Sequence, residues 1–195
     1  MTALRPGRVL ASTSAVTTAC VLPSFLVGAM AVQIRPELGF DESGVGLAFA
    51  AFFAAAAFAS APLGRVTERG GPVRSLRAAG VVSGVACLVT AATASSLLTL
   101  VLPIAAAGAS NALCQPAANL LIARAVPVHR QGFAFAVKQS AIPAATLLAG
   151  AAVSLALSVG WRWAFVVAAG FSLAAAASVS AGPGAVDAPT TSATS

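Results

Sequence analysis

Charged residues are scarce in this sequence: 8% of its 195 residues are Asp, Glu, Lys or Arg, whereas 58% are hydrophobic. A water-soluble domain keeps roughly a quarter of its residues charged. Five acidic and eleven basic side chains therefore cannot cover a soluble globule of this length. The mean hydropathy of +0.92 is typical of a chain surrounded by lipid. The composition predicts a membrane protein.

Sequence motifs of catalysis and cofactor binding are also absent. There is no HExxH and no GxSxG, and Gly44-x-Gly46 lacks the third glycine of a dinucleotide-binding loop. The three cysteines, Cys20, Cys87 and Cys114, are odd in number and each lies in an apolar run. This pattern favours small buried side chains over a metal site or a disulfide. The sequence therefore predicts no enzyme, no metal and no cofactor.

Six segments are long and apolar enough to cross a hydrocarbon core of about 30 Å, which takes roughly 20 helical residues. They are approximately Val9–Val32, Val45–Leu63, Leu76–Ala94, Leu97–Ala123, Gly132–Ser158 and Trp161–Ala181. The first segment exceeds the roughly 7–15 residues of a signal-peptide core, so it counts as a span. We expect residues 1–181 to form an all-α bundle of six transmembrane helices. Residues 182–195 are expected to be a polar tail without regular structure.

The ends of these segments carry the residues of turns and helix starts. Asp41 and Ser43 are suited to start the second span, and Pro127 and Gly132 fall in the break before the fifth. The breaks "ASS" and "SVG" are so short that the spans beside them must be antiparallel neighbours. The pattern predicts a compact bundle with short connections.

The basic residues are concentrated at one end of this bundle. With a cytoplasmic N-terminus, nine of the eleven bases lie on the inner side, and only Arg35 and Arg162 lie on the outer side. This is the bias of the positive-inside rule, and it accounts for the net charge of +6 without nucleic acid. It predicts an inner (plasma) membrane protein with both termini in the cytoplasm. Trp161 and Trp163 are expected at the outer interface, which amphipathic rings prefer.

A weak internal repeat links the two halves of the bundle. "GLAFA" from Gly46 opens the second span, and "GFAFA" from Gly132 opens the fifth. These two spans start on opposite sides of the membrane, as an inverted repeat of three plus three helices requires. The sequence therefore predicts an inverted 3+3 arrangement.

The segment "GRVTERGG", residues 64–71, combines glycine and charge in the predicted cytoplasmic loop after the second span. It resembles the signature loop of the major facilitator superfamily, with Gly64, Glu68, Arg69 and Gly71 at the matching positions. The bases that usually follow are represented only by Arg74, which comes late. "GFAFAVKQSAIPAATLLAG" in the fifth span and "GWRWAF" at the start of the sixth are similar to the family too. Without the resemblance, the segment is an ordinary loop whose arginines set the topology.

The resemblance implies secondary transport of a small solute by alternating access. Transporters of this family have two six-helix halves, and a cytoplasmic latch between the halves opens during transport. The resemblance gives Glu68 and Arg69 this latch role. The chain corresponds to the N-terminal half, apparently truncated or split, so a second half, from its own copy or another chain, is expected as a partner beside the lipid bilayer. The alternatives are a truncated or assembly membrane protein that transports nothing, and a small homodimeric carrier or channel.

Polar side chains inside the spans are candidates for a water-filled path, because they are costly in hydrocarbon. Asn111, Gln115 and Asn119 recur every four residues and so lie on one stripe of the fourth span. The resemblance places the first and fourth spans on the central cavity, which adds Thr17. The stripe fits either a cavity for the solute or hydrogen bonding between helices, worth about 0.6 kcal/mol per bond.

Lys138 and Gln139 lie roughly two turns inside the predicted fifth span. The lysine can either snorkel to the inner surface or face the cavity, where it would favour an anionic solute. Pro143 is expected to loosen the helix nearby. No carboxylate lies inside any predicted span, so these spans offer no acid to carry protons.

Overall fold

The computed structural model describes residues 6–179, and almost all of these residues are helical. Eight helices follow one another: α1 (Pro6–Ala29), α2 (Ala31–Leu38), α3 (Glu42–Gly70), α4 (Pro72–Thr93), α5 (Leu97–Ala125), α6 (Val128–Gln139), α7 (Ala141–Val159) and α8 (Trp161–Ser178). The described residues give six helical stretches long and apolar enough to cross a membrane, with α6 and α7 counted as one. The predicted all-α fold of six spans is confirmed. The tail predicted at 182–195 and Arg5 lie outside the described residues.

The second span is longer than the sequence predicts, because α3 continues from Leu63 to Gly70. Its start agrees with the prediction: Asp41 is the N-cap, and its side chain accepts a hydrogen bond of 3.0 Å from the amide of Ser43. With 29 residues, α3 is about 43 Å long at 1.5 Å per residue. It therefore exceeds a hydrocarbon core of about 30 Å, and its last turns extend beyond the core.

The first and fifth spans are interrupted where the sequence predicts continuous helices. A turn at Met30 separates α1 from α2, so the first span ends before the predicted Val32. Ser140 separates α6 from α7. Pro143 has no amide hydrogen, so the carbonyl of Gln139 lacks the donor that would continue the ladder. This agrees with the loosening expected near Pro143.

The first helix lies at the centre of the bundle and packs against α5, α7 and α8. Within its most apolar window, 72% of the α1 residues are buried, whereas the corresponding share is 17% for α3 and 17% for the α6–α7 span. These two spans pack mainly on one side, α3 against α5 and α7 against α1. Much of their remaining surface is open to lipid or to another protein.

Small residues bring α4 and α8 into close contact. A side chain at Gly80 would have its Cβ 2.8 Å from the Cβ of Ala176, and one at Gly84 would meet Leu173 at 3.0 Å. The hydroxyl of Ser172 also donates to the carbonyl of Gly80 at 2.9 Å. The spacing Gly80-x-x-x-Gly84 is typical of tight packing between membrane helices, and the structure has that packing.

Helices α3 and α5 approach each other closely at Gly108. A Cβ at this position would lie 2.0 Å from the backbone carbonyl oxygen of Phe52. Only glycine allows the two backbones this distance. This contact fixes the position of α5, which carries the polar stripe.

Candidate functional site

The three polar side chains predicted on the fourth span lie along α5. Asn111 and Gln115 are half-buried, and Asn119 is exposed. The Nε2 group of Gln115 donates to Oδ1 of Asn111 at 3.2 Å. Leu113 and Ala117, on the other side of the helix, are buried against neighbouring helices. The stripe therefore lies where the six spans leave α5 partly uncovered.

Lys138 reaches this stripe from α6. It is only 3% exposed, and its Nζ donates to Oε1 of Gln115. The residue lies ten positions after Val128, the first residue of α6, which is about 15 Å along the helix. Gln115 lies equally far from the inner end of α5 at Ala125. The predicted fifth span begins at Gly132, six residues before Lys138, so the ammonium group is directed to α5 about 9 Å inside the span, not to the inner surface.

Thr17 and Gln139, the other candidate cavity residues, take different positions. Thr17 is 1% exposed, and its hydroxyl donates to the carbonyl of Thr13 at 2.8 Å. The same hydroxyl lies 3.7 Å from the Sγ of Cys114, within the contact of α1 with α5. Gln139 is exposed at the end of α6. The structure brings together Asn111, Gln115 and Lys138, and it leaves Gln139 apart.

The segment predicted as the latch loop is helical, and that prediction is corrected. Gly64, Glu68 and Arg69 lie in the last two turns of α3, and Gly71 alone separates α3 from α4. Its φ of 87° lies in the region that favours glycine. The segment can be helical because the last turns of α3 extend beyond the hydrocarbon core, and the chain needs no loop until Gly71. Glu68, Arg69 and Arg74 are exposed.

A polar cluster at the opposite end was not predicted from the sequence. Trp161 Nε1 donates to Oε2 of Glu37 at 2.6 Å, and Arg162 donates to Oε1 of the same carboxylate. Arg162 also donates to the carbonyl of Ala94 at 2.6 Å and lies 4.5 Å from the ring centroid of Trp161. The cluster joins α2 to α8 and to the end of α4. No sequence signal joins Glu37 to Arg162, because 125 residues separate them.

The two tryptophans differ in their surroundings. Trp161 is 3% exposed and packs inside the bundle beside Phe165, whereas Trp163 is 54% exposed. The expectation that both rings face the interface therefore fits Trp163 only. Trp161 is buried because its indole nitrogen has a carboxylate partner.

Arg162 holds the pKa of Glu37 below its ordinary value of 4.5, and the indole hydrogen bond acts in the same direction. A carboxyl group with a lowered pKa in the folded state stabilises the fold above the unfolded value, and it loses this contribution as the pH falls through the folded value. Both side chains are partly exposed, 39% for Arg162 and 45% for Glu37. The contribution is therefore expected to be about 0.2–1 kcal/mol.

We expect Glu37→Gln to lower the melting temperature at pH 7, and the difference from the wild type to disappear as the pH falls below about 4.5. The measurement is a thermal melt of the detergent-solubilised protein over a series of pH values. Glu68→Gln is the matched control, since Glu68 is an exposed carboxylate without an ion pair among the described residues. A Glu37→Gln effect of the same size at every pH would show that the charge does not stabilise the fold.

Comparison with known proteins decides the family. The sequence profile of the Major Facilitator Superfamily matches residues 13–191, which include most of the first span, the other five spans, the polar stripe and the segment of Glu68. The chain belongs to the major facilitator superfamily. No curated protein matches it significantly. Membership of the superfamily, with six apolar helices, makes it a multi-pass membrane protein of a family that transports small solutes.

Proposed function

We propose that the chain is the N-terminal six-helix half of a transporter that moves a small solute by alternating access. The observation that carries the proposal is the contact of Lys138 with the α5 stripe. A charge and two amides meet inside the membrane-spanning segments, and the stripe continues to the exposed Asn119. Polar side chains at this depth mark solute paths, and superfamily sites lie near the midplane between repeats.

The open surfaces support a second six-helix half as the partner. α3 and the α6–α7 span have the smallest buried shares, 17% each. The helix pairs also support an inverted repeat: the second span packs against the fourth, and the fifth packs against the first. In a 3+3 repeat, spans 1, 2 and 3 correspond to spans 4, 5 and 6, so a contact of the second span with the fourth should be matched by a contact of the fifth with the first. The second half is either another copy of this chain or a different chain.

Solute uptake into proteoliposomes tests the transport function. The assembly is purified through a tag on this chain, so that any bound second half is retained, and its mass is measured. Labelled amino acids, sugars, nucleosides and carboxylates are then screened. Saturable uptake of one class supports a transporter, whereas flux that rises linearly with concentration indicates a channel. An assembly of twelve or more spans that takes up none of these classes would contradict the proposal.

We further propose that Glu68 and Arg69 form the cytoplasmic latch to the second half. Both are exposed in the last turn of α3, beyond the hydrocarbon core, and neither has an ion pair among residues 6–179. A carboxylate can bind the positive end of a partner helix, and an arginine can pair with an acid. Glu68→Ala or Arg69→Ala is expected to remove about 1.5–3 kcal/mol and to shift the inward–outward equilibrium roughly tenfold.

Distance measurements between spin labels on the two halves would report this shift. Arg65→Ala is the matched control, because Arg65 is an exposed arginine one turn earlier on the same helix, outside the matched motif positions. Unchanged state populations in both latch variants, or an equal shift in the Arg65 variant, would rule out the latch.

The proposed location is the inner membrane with both termini in the cytoplasm. In a background without native cysteines, Glu42→Cys should react with an impermeant thiol reagent added outside intact cells, and Arg69→Cys should react only after lysis. Glu42 is exposed, with 83% of its side chain accessible, at the start of α3, and Arg69 is near its end. Labelling of position 69 from outside intact cells would contradict the proposed topology and place the end of α3 outside.

A further inference from the structure

Lys138 is the only lysine in the chain, and it has no acidic partner among the described residues. The five acidic residues are Glu37, Asp41, Glu42, Glu68 and Asp187. Those that the structure describes lie in α2 or at the two ends of α3. Lys138 instead lies about 15 Å from the start of α6, where it is 3% exposed. Among the described residues, the acceptor of its hydrogen bond is a neutral amide oxygen.

A buried ammonium group with one neutral partner is costly. The desolvation of such an ion is unfavourable even after the protein relaxes, and so is a charge inside the bilayer. A single carbonyl oxygen offsets only part of this cost. An anion next to Nζ would offset it much better, because opposite charges attract more strongly at a largely buried site than in bulk water.

The groups around Nζ are suited to donate hydrogen bonds. Lys138 has three N–H donors, of which Gln115 Oε1 accepts one. Gln115 Nε2 is a second donor, now bonded to Asn111 Oδ1. Asn111 adds its own amide nitrogen, and no carboxylate of the described chain competes for these donors. An arriving anion could take the place of Gln115 Oε1 on Lys138 and receive the amide hydrogens.

We propose that Lys138, Gln115 and Asn111 form a binding site for a small monovalent anion with oxygen acceptors, a carboxylate or an oxyanion. In the structure, Gln115 Oε1 accepts from Nζ at the position proposed for the anion. One fixed positive charge matches one negative charge. The inference rests on the proposed function, because it names the class of solute that the transporter binds.

Thermal melting of the full chain in detergent tests the site directly. The three cysteines are buried, so a thiol-reactive dye reports unfolding. The probes are acetate and benzoate against their neutral amides, acetamide and benzamide, with inorganic phosphate as the oxyanion, all at constant ionic strength. We expect a saturable rise of the melting temperature with a carboxylate or with phosphate, since a ligand that binds the folded state stabilises it. No rise is expected with either amide.

Three variants connect the shift to Lys138. Lys138→Gln should abolish the rise or weaken the apparent affinity at least about tenfold, and Lys138→Arg should retain it. Gln115→Glu places a carboxylate on Nζ, so it should abolish the rise while the unliganded protein melts at a higher temperature than the wild type. Arg130→Gln is the control: it removes an exposed charge from the same helix and should leave the rise intact.

Equal shifts with carboxylates and amides, or an unchanged shift in Lys138→Gln, would overturn the anion site. If Lys138→Gln does not fold, Gln115→Glu decides, and a full anion shift in that variant is the overturning result. Transport of a neutral or cationic solute that Lys138→Gln and Gln115→Glu leave unchanged would also overturn the site and leave the transport function standing. A rise of the melting temperature with anions, in an assembly that transports nothing, would overturn the transport function and leave the anion site standing.

Discussion

Gly108→Ala is expected to disrupt the packing of α3 on α5 and to give the largest loss of stability of any single methyl group added to the bundle. The new Cβ would lie 2.0 Å from the carbonyl oxygen of Phe52 and 2.8 Å from its carbonyl carbon. These are backbone atoms in the middle of a helix, so no side-chain rotation can relieve the clash. Phe52 itself is fully buried, and the two helices must move apart.

Overpacking of this kind typically costs about 1–3 kcal/mol, occasionally more. Because the backbone of Phe52 cannot rotate away, we expect Gly108→Ala to lose stability at or above the upper end of this range. Thermal melting followed by the reactivity of the buried cysteines measures the loss, together with the yield of folded protein. Gly150→Ala is the matched control, because a Cβ at Gly150 in the membrane-spanning α7 has no atom within 4 Å. Alanine favours a helix over glycine by about 1 kcal/mol, so this variant should be as stable as the wild type or more. Equal melting of the two variants would contradict the packing described for α3 and α5.

The six spans could be predicted from the sequence because length and hydropathy are local properties of a segment. The starts at Asp41 and at Trp161 agree with their sequence signals. The end at Leu63 did not agree, because a helix can continue past the membrane until a residue stops it, and hydropathy reports only the apolar part. The end at Val32 did not agree because a turn at Met30 interrupts the helix without any change in hydropathy. The break at Ser140 depends on Pro143 three residues later, which weakens the helix without marking where it opens.

Contacts between helices were only partly predictable. Gly80 and Gly84 have the spacing of close helix packing. Gly108 also has a small residue, Ala112, four positions later, but this part of α5 has so many small residues that the spacing does not single out Gly108. Its importance arises from Phe52, on another helix. The stripe of Asn111, Gln115 and Asn119 follows from helical periodicity alone. Periodicity does not predict the orientation of the Lys138 side chain, because a lysine at this depth can extend along its own helix to the inner surface or across to a neighbouring helix.

The proposed role of the α5 stripe makes a sharp prediction about water. A thiol reacts as the thiolate, which forms in water and not in lipid or in a packed interior. Single cysteines at Asn111, Gln115 and Asn119, in a background without native cysteines, should therefore react with a small water-soluble thiol reagent in membranes. Cysteines at Leu113 and Ala117 should stay protected, since these positions are 9% and 0% exposed.

Exposure to lipid needs its own control, and Leu102 provides it. This residue of α5 is 61% exposed and lines an apolar groove of about 320 Å³ formed with α4. Leu102→Cys has open space around it but no polar neighbour in the groove, so it should remain unreactive. Slower labelling at position 102 than at the stripe would show that the stripe cysteines react because water reaches them, not merely because they are exposed on the surface of the helix.

Cysteine accessibility around α5 is the measurement that tests the solute path most directly. The account predicts fast labelling at positions 111, 115 and 119, slow labelling at 102, 113 and 117, and slower labelling of position 111 when a bound anion occupies the neighbouring site. Equal reactivity around the whole circumference of the helix, or a stripe as unreactive as position 102, would contradict the path, and with it the role proposed for Lys138 and its partners.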